Sequence, residues 1–177
     1  MRTIVCDTGP LLHLAEAGLL DLLQRAGKVY IPQEVHSELQ ALSESWKRKK
    51  PEWIDIKPLS ETQCEQSRIL YESGMLGKGE AEAIILAKKL KANWFLTDDI
   101  EARIFAKSIG LEVHGSLGVV LWAAVEGYLN YESGRSAIDN LSKTSLWVSQ
   151  RIIDKAYQAL EQIFSRGHGK CRRGGQI

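Results

Sequence analysis

Three aspartates follow short apolar runs of the sequence, at positions where carboxylates could bind a metal ion. Asp7 comes directly after the β-branched run Thr3–Cys6, and Asp98 and Asp99 follow Trp94–Leu96 after one threonine. Ligands of parallel α/β proteins bind at the carboxyl ends of the strands, so these acids can meet if the two strands are neighbours. Carboxylates that share one cleft repel each other, and a bound cation relieves that repulsion.

Two further acids, Glu80 and Glu38, lie in segments with helical periodicity. At about 100° per residue, Glu80 falls close to the apolar stripe that includes Ile84, whereas Glu82 falls well away from it. We therefore predict that Glu80 points inward and that Glu82 is solvated. Glu38 lies in the middle of the helix predicted over residues 33–42.

Each of these acids also has a purely structural explanation. Asp98 and Asp99 are suitable helix N-caps, Asp7 suits an Asx turn before Pro10, and Glu80 suits the first turn of a helix, where the dipole favours an acid. For each acid alone the structural explanation is preferable. The position of Asp7 and of the Asp98–Asp99 pair after two strands favours a shared site.

The charge balance limits how the chain could hold a nucleic acid. With a formal net charge of +1 over 177 residues, a phosphate backbone would have to be bound by local basic patches. The candidate cations are Lys47, Arg48, Lys49, Lys50, Lys78 and Arg103. A lysine run is also typical of a solvated loop, and Arg103 has the alternative of pairing with Glu38.

Five tryptophans offer candidates for stacking on a base. Trp94 and Trp122 lie in apolar contexts, which indicates the core. Trp46 directly precedes the lysine run, and we predict it as the base-stacking residue.

The predicted elements alternate between short strands and helices, which indicates an α/β fold with a mostly parallel sheet of four to five strands. Strands are predicted at residues 3–6, 29–31, 54–56, 94–96 and 111–113. Helices are predicted at residues 10–27, 33–42, 63–72, 80–91, 99–109, 116–127, 133–141 and 148–164. The polar stretch Ser43–Pro51 predicts an exposed loop or a frayed helix end.

The cysteines and the apolar runs indicate a cytoplasmic protein without a membrane partner. Cys6, Cys64 and Cys171 are odd in number and far apart, which favours reduced thiols over a disulfide framework. Asp7 and His13 interrupt the first apolar stretch, so it is not typical of a signal peptide. The length predicts one domain over residues 1–165, and the Gly- and Arg-rich composition predicts a disordered tail over residues 166–177.

Five segments in order resemble the PIN-domain superfamily, and more closely a branch of predicted PIN nucleases related to VapC-type toxins. The segments are VCDTGPLLHLAEAGLLDLL, YIPQEVHSEL, GKGEAEAIILAKKL, FLTDDIEARIFAKSIGL and VHGSLGVVLWAAVEGYL. The resemblance covers roughly the first four-fifths of the chain, and the ordered set is more specific than any one segment. It implies a three-layer α/β/α fold.

The resemblance also implies a site and an activity. The four acids of the family fall on Asp7, Glu38, Glu80 and Asp99, with Glu82 and Asp98 as the alternatives for the last two. Such proteins use Mg²⁺ or Mn²⁺ to cleave single-stranded RNA, with direct metal contact expected from Asp7 and Asp99, direct or water-mediated contact from Glu80, and water positioning by Glu38. Asp98 is a further candidate ligand.

The partners implied by the resemblance are single-stranded RNA, a second copy of the chain and, for the toxin of a toxin–antitoxin pair, a small antitoxin protein. The competing hypothesis is a catalytically silent PIN-fold module that binds nucleic acid or protein. A receiver domain is disfavoured because it needs an acid pair directly after the first strand. A dehalogenase-like phosphatase is disfavoured because Gly9 stands where that class has a second aspartate.

Overall fold

The computed structural model describes the backbone of residues 1–168 and the side chains of residues 1–165. Five parallel strands form one sheet in the order β3-β2-β1-β4-β5. The strands are β1 (Thr3–Cys6), β2 (Lys28–Ile31), β3 (Ile54–Ile56), β4 (Trp94–Leu96) and β5 (Val113–His114). The prediction of an α/β fold with a largely parallel sheet is therefore confirmed.

Helices connect the strands and flank the sheet. They are α1 (Thr8–Glu16), α2 (Asp21–Ala26), α3 (Gln33–Leu42), α4 (Glu44–Arg48), α5 (Glu61–Glu72), α6 (Lys78–Leu90), α7 (Ile100–Ser108), α8 (Ser116–Val125), α9 (Tyr131–Ser142) and α10 (Gln150–His168). Helix α6 packs against β1 and β4 and also contacts α3 and α5. Helix α8 packs against α2, α9 and α10. Within the described part of the chain, no helix is both long and apolar enough to cross a membrane.

The order of the strands places β1 beside β4 at the centre of the sheet. The chain proceeds outward from β1 through β2 to β3, and then returns to the other side of β1 for β4 and β5. Val5 and Phe95 are paired in register, and both are fully buried. Each such side chain contributes about 1.5–3 kcal/mol to folding when it leaves water. The reversal of strand order at β1 and β4 opens a crevice at their carboxyl ends.

The first helix is shorter than its leucine periodicity predicts. One helix was expected up to about Gly27, but the chain turns at Gly18, whose φ of +70° is left-handed. The N–H of Gly18 donates to the carbonyl of Ala15, and that of Leu19 donates to the carbonyl of Leu14. These two bonds form a Schellman motif, which ends α1 before α2 begins.

The lysine-rich stretch 43–51 is not simply a loop, because it contains α4. The Ser43 side chain caps this helix at the N–H of Trp46, and the Trp46 indole N–H donates to Nδ1 of His36 at 3.0 Å. Trp46 is only 4% exposed. The prediction that Trp46 stacks on bases is therefore wrong, since its ring packs inside the protein.

Strand β5 and helix α10 differ from their predicted bounds, and Leu42 differs from its predicted burial. Strand β5 begins at Val113 because the N–H of Leu111 caps α7 through the carbonyl of Ala106. Leu42 was expected in the apolar stripe of α3, yet it is exposed at the last turn of that helix. Helix α10 continues to His168. The predicted disordered tail beyond that residue lies outside the described residues.

Candidate functional site

Asp7 and the Asp98–Asp99 pair lie side by side at the carboxyl edge of the sheet. Strands β1 and β4 are hydrogen-bonded neighbours, and the N–H of Asp7 extends their pairing by donating to the carbonyl of Leu96 at 2.9 Å. The adjacency on which the sequence argument depended is therefore present. This edge is also the point where the strand order reverses, which is where doubly wound sheets bind their ligands.

Asp7 is an almost fully buried carboxylate, at 4% exposure. Its Oδ1 accepts a hydrogen bond from the Thr8 N–H at 2.6 Å, and its Oδ2 accepts one from the Thr97 hydroxyl at 3.1 Å. Burial, together with the nearby carboxylates of Glu80 and Glu38, raises the pKa of Asp7 to about 7. The environment thus disfavours the ionised form of Asp7, and a cation bound beside it would stabilise that form.

Glu38 reaches the same cleft from α3. The Thr8 hydroxyl donates to Oε2 of Glu38, and the N–H of Gly79 donates to its Oε1 at 3.2 Å. Gly79 is in the first turn of α6, where backbone N–H groups lack partners within the helix. Glu38 therefore connects the start of α1 to the start of α6.

The helical phase correctly predicted that Glu80 faces the cleft, but the prediction that Glu82 is solvated is wrong, because Glu82 is half-buried and this burial raises the pKa of its carboxyl. Glu80 lines the cleft and forms a capping box, in which its Oε2 accepts from the N–H of Gly77 at 2.7 Å. Burial, followed by the carboxylates of Asp99 and Glu38, raises the pKa of Glu80 despite that hydrogen bond. Glu82 instead accepts from the N–H of Glu34 at 3.3 Å, and it does not line the cleft.

The aspartate doublet is divided between two structural tasks. Asp99 caps α7 by accepting from the N–H of Ala102 at 2.8 Å. Asp98 accepts from the N–H of Ser116 at 2.8 Å and from its hydroxyl at 2.5 Å, and it pairs with Nδ1 of His13 at 2.7 Å. The N-cap explanation considered for the doublet is thus realised at Asp99 and not at Asp98, and both carboxylates also line the cleft.

These side chains surround an open cleft of about 600 Å³. Its carboxylates are Asp7, Glu38, Glu80, Asp98, Asp99 and Glu101, and its other lining residues are Thr8, Gly9, His13, Gly77, Gly79, Ile100, Ser145, Leu146 and Trp147. No Lys or Arg of the described residues is among them. A polyanionic substrate could therefore enter only together with cations.

The oxygen-rich composition of the cleft suits a hard divalent cation such as Mg²⁺ or Mn²⁺. As the side chains stand, however, no three Asp, Glu, His or Cys residues of the described chain form a group ready to hold a metal ion. Several of the acids accept hydrogen bonds from protein donors instead, as Glu80 does from the N–H of Gly77.

The cations predicted to hold phosphates lie outside the cleft. On and after α4, Lys47 pairs with Glu44 at 2.6 Å, Lys49 pairs with Glu52 at 2.9 Å, and Arg48 is exposed. The ammonium group of Lys50 is used locally, since it donates to backbone carbonyls of the same stretch.

The other two predicted cations are closer to the acids. Lys78 precedes Gly79 in α6 but pairs with Glu34 at 2.7 Å. Arg103 donates to the carbonyl of Thr97 at 2.9 Å and lines a second groove beside the cleft. Its alternative pairing with Glu38 is not among its contacts, because its guanidinium group faces β4 instead.

Several residues of the cleft were not predicted from the sequence. His13 interrupts the leucine stripe of α1, and this polar residue in an apolar face was a usable signal. Trp147 stands between Leu146 and Val148, a context that is typical of a core residue, so only the structure reveals that it is exposed.

An acidic cleft at the switch point of a doubly wound parallel sheet defines a class of α/β protein whose site suits cation-assisted phosphate chemistry. Residues 3–162 match the family model designated DUF3368, a PIN domain. The chain therefore belongs to the PIN-domain family, and its fold is of the nuclease type. No match is found among curated proteins.

Proposed function

We propose that this PIN-domain protein is a metal-dependent endoribonuclease that hydrolyses phosphodiester bonds of single-stranded RNA with Mg²⁺ or Mn²⁺. The observation that supports it best is the cleft itself, which gathers six carboxylates at the switch point of the sheet. Membership of the PIN-domain family supports the same reaction class. The raised pKa of Asp7 adds that the cluster is electrostatically costly without a cation.

The residues of the cleft would divide the work by position. Asp7 and Asp99 would hold the cation directly, Glu80 directly or through water, and Glu38 would orient the attacking water, with Asp98 as a further ligand. A bound divalent cation supplies a water of lowered pKa and offsets the charge that develops on the phosphate. Thr8 and Thr97 keep the Asp7 carboxylate in place through their hydrogen bonds.

Phosphates away from the cut would be held by cations outside the cleft. Arg103 lines the neighbouring groove, and exposed side chains of α4 add positive charge. The proposed contacts are Lys47, Arg48, Lys49, Lys50, Lys78 and Arg103. Because they lie outside the cleft, their proposed role is to contact the flanking backbone of the RNA.

The cellular role that we propose is that of a toxin in a toxin–antitoxin pair, acting in the cytoplasm as a homodimer that a small antitoxin protein inhibits. The free thiols of Cys6 and Cys64 are consistent with a reducing compartment. Sedimentation velocity tests the dimer. Co-expression with the product of an adjacent short reading frame tests the antitoxin.

A silent interaction module is the second candidate, and one observation favours it. Five of the six carboxylates of the cleft accept hydrogen bonds from the protein, and no three Asp, Glu, His or Cys residues of the described chain form a group ready to hold a metal ion. In that case the carboxylates would serve only to cap α6 and α7 and to join α1 to α3.

Cleavage of a single-stranded RNA by the wild type and by Asp7→Asn decides between the two candidates. We expect wild-type cleavage with Mg²⁺ or Mn²⁺, its loss with EDTA, and a fall of at least about 100-fold in the variant, because the removed charge is a proposed metal ligand. Asp154→Asn, on the exposed face of α10, is the matched control and should cleave like the wild type. Equal rates for Asp7→Asn and the wild type would rule out the mechanism, and no cleavage by the wild type would favour the silent module.

A further inference from the structure

We propose that Trp147 is the platform on which a base of single-stranded RNA stacks, in a groove that opens off the acidic cleft. The proposal rests on the proposed ribonuclease function and deepens it by naming how the strand beside the cut is held. Trp147 lies between α9 and α10 and is 88% exposed. Trp46 and Trp94 are buried, and Trp53 and Trp122 are half-buried. An isolated indole in water at the rim of a site indicates a binding role.

The segment that carries Trp147 is fixed to the body of the protein on its N-terminal side. The N–H and hydroxyl of Ser145 both donate to the Glu16 carboxylate of α1, each at 2.8 Å from Oε2. Leu146, the next residue, is buried in the core. Because these two neighbours are held, the backbone of Trp147 has a defined position at the rim of the cleft.

Trp147 stands on the wall between two depressions. It lines the acidic cleft, and it also lines a groove of about 540 Å³ formed by α7, α8 and the start of α10. Asp98, Ile100 and Leu146 are shared by both walls. The two depressions adjoin at Trp147, so an RNA strand whose phosphate lies among the acids can continue into this groove. Single-stranded RNA is therefore the ligand that we propose for the groove.

The groove has the chemistry that an unpaired nucleotide requires. Ile100 is 62% exposed and offers apolar surface beside Trp147, as does Ile152 on the far side. Arg103 and His114 provide polar groups on the same walls. Every base has an aromatic face, so stacking on an indole holds a single strand with little sequence preference.

Binding of a fluorescein-labelled decamer of single-stranded RNA tests the proposal, with Ca²⁺ replacing Mg²⁺ so that affinity is measured by anisotropy without turnover. Trp147→Ala should weaken binding by about 5- to 150-fold, the loss of one stacked base. Trp147→Phe should recover most of that affinity. Tyr71→Ala, which removes a partly exposed aromatic ring on α5, is the matched control and should bind like the wild type.

In a second set of decamers, each RNA lacks the base at a different single position. These RNAs test whether the affinity lost in Trp147→Ala comes from base stacking. In the wild type, one base-free position should lower affinity by a similar factor. In Trp147→Ala the same position should cost nothing further, because the platform is already absent. Equal losses in the two proteins would overturn the proposal.

The remaining outcomes separate this proposal from the proposed function. If the wild type cleaves RNA in an Asp7-dependent manner while Trp147→Ala binds and cleaves like it, the stacking proposal fails and the ribonuclease stands. If the wild type neither binds nor cleaves RNA, both fail. If Trp147→Ala leaves RNA affinity unchanged but dissociates a dimer in sedimentation velocity, Trp147 is a protein contact and the proposal is overturned.

Discussion

At Asp7, the stability of the fold and the proposed function make opposite demands on one carboxylate. Its carboxylate is buried, and its two hydrogen bonds from Thr8 and Thr97 do not offset the cost of burial and of the neighbouring acids, since its pKa rises to about 7. A residue with this environment reduces the stability of the metal-free protein. Its presence is understandable if the charge is used when a cation binds.

Asp7→Asn should therefore stabilise the metal-free protein, and more so at higher pH. The folded state keeps Asp7 protonated up to a pKa of about 7, whereas the unfolded chain ionises it near pH 4. The wild-type free energy of unfolding thus falls as pH rises through this window, by up to about 4 kcal/mol, and the variant lacks that fall. Urea unfolding in EDTA at pH 5 and pH 8 measures the difference.

The control for this prediction is Asp154→Asn, whose carboxylate is exposed on α10. Its stability relative to the wild type should be the same at both pH values. If Asp7→Asn is no more stabilised at pH 8 than at pH 5, the carboxylate is not held in the protonated form as described.

Glu80 and Glu82 provide a matched pair for testing the site, since both lie in α6 two residues apart. Glu80→Gln should lower metal-dependent RNA cleavage by about 10- to 100-fold, because its carboxylate faces the cleft. Glu82→Gln should stay within about twofold, because Glu82 contacts Glu34 instead. Glutamine can still accept from the same N–H groups, so neither fold should change. If Glu82→Gln lost more activity than Glu80→Gln, the proposed metal ligand would be Glu82 instead of Glu80.

At the scale of elements, the contact between α3 and α6 sets the position of Glu38. A Cβ added at Gly79 would lie 2.6 Å from both Glu38 carboxylate oxygens. The glycine at position 79 thus leaves room for the close approach of a side chain from another helix. The missing Cβ leaves the space that the Glu38 carboxylate occupies, and the Gly79 N–H donates a hydrogen bond to that carboxylate.

Gly79→Ala should displace Glu38 and lower RNA cleavage by roughly tenfold, since a positioning residue of the site is lost. The fold should tolerate the change, because alanine favours the helix by up to about 1 kcal/mol and offsets the lost hydrogen bond. Single-turnover rates in the Glu38→Ala background serve as the control. There Gly79→Ala should have no further effect, and a full additional loss would show that it acts independently of Glu38.

At the scale of the whole molecule, the cleft is assembled from distant parts of the chain. Asp7 follows β1, Glu38 comes from α3, Glu80 from α6 and the aspartate doublet from the end of β4. Such a site exists only in the folded state, so a cation that binds there is linked to folding.

Mg²⁺ or Mn²⁺ should therefore raise the melting temperature of the wild type. At a concentration ten times the dissociation constant, binding contributes about 1.4 kcal/mol, which corresponds to a rise of about 3–5 °C for a chain of this size. Differential scanning fluorimetry measures the shift, and K⁺ at matched ionic strength controls for screening. Asp7→Asn should show no shift, and a shift equal to that of the wild type would place the ion elsewhere.

The elements and most of the acids could be predicted from the sequence, because local patterns encode both. Apolar runs predicted the five strands, the position of Asp7 and the aspartate doublet after two of them predicted the edge, and helical phase separated Glu80 from Glu82. Errors arose where the local pattern is ambiguous, as at Gly18, which ends a helix that the leucines alone would continue.

How these parts meet could not be predicted from local patterns. Strand β1 lies beside β4, and Glu38 reaches Thr8 across 30 positions of sequence. Trp46 is buried, whereas Trp147 is exposed. All of these features depend on contacts between distant segments of the chain. Periodicity reports which face of an element is apolar, but it does not report which element covers that face. For this reason Asp7, Glu80 and the aspartate doublet were predictable from the residues themselves and Glu38 from the family resemblance, whereas Glu101 and the exposed Trp147 were not predicted.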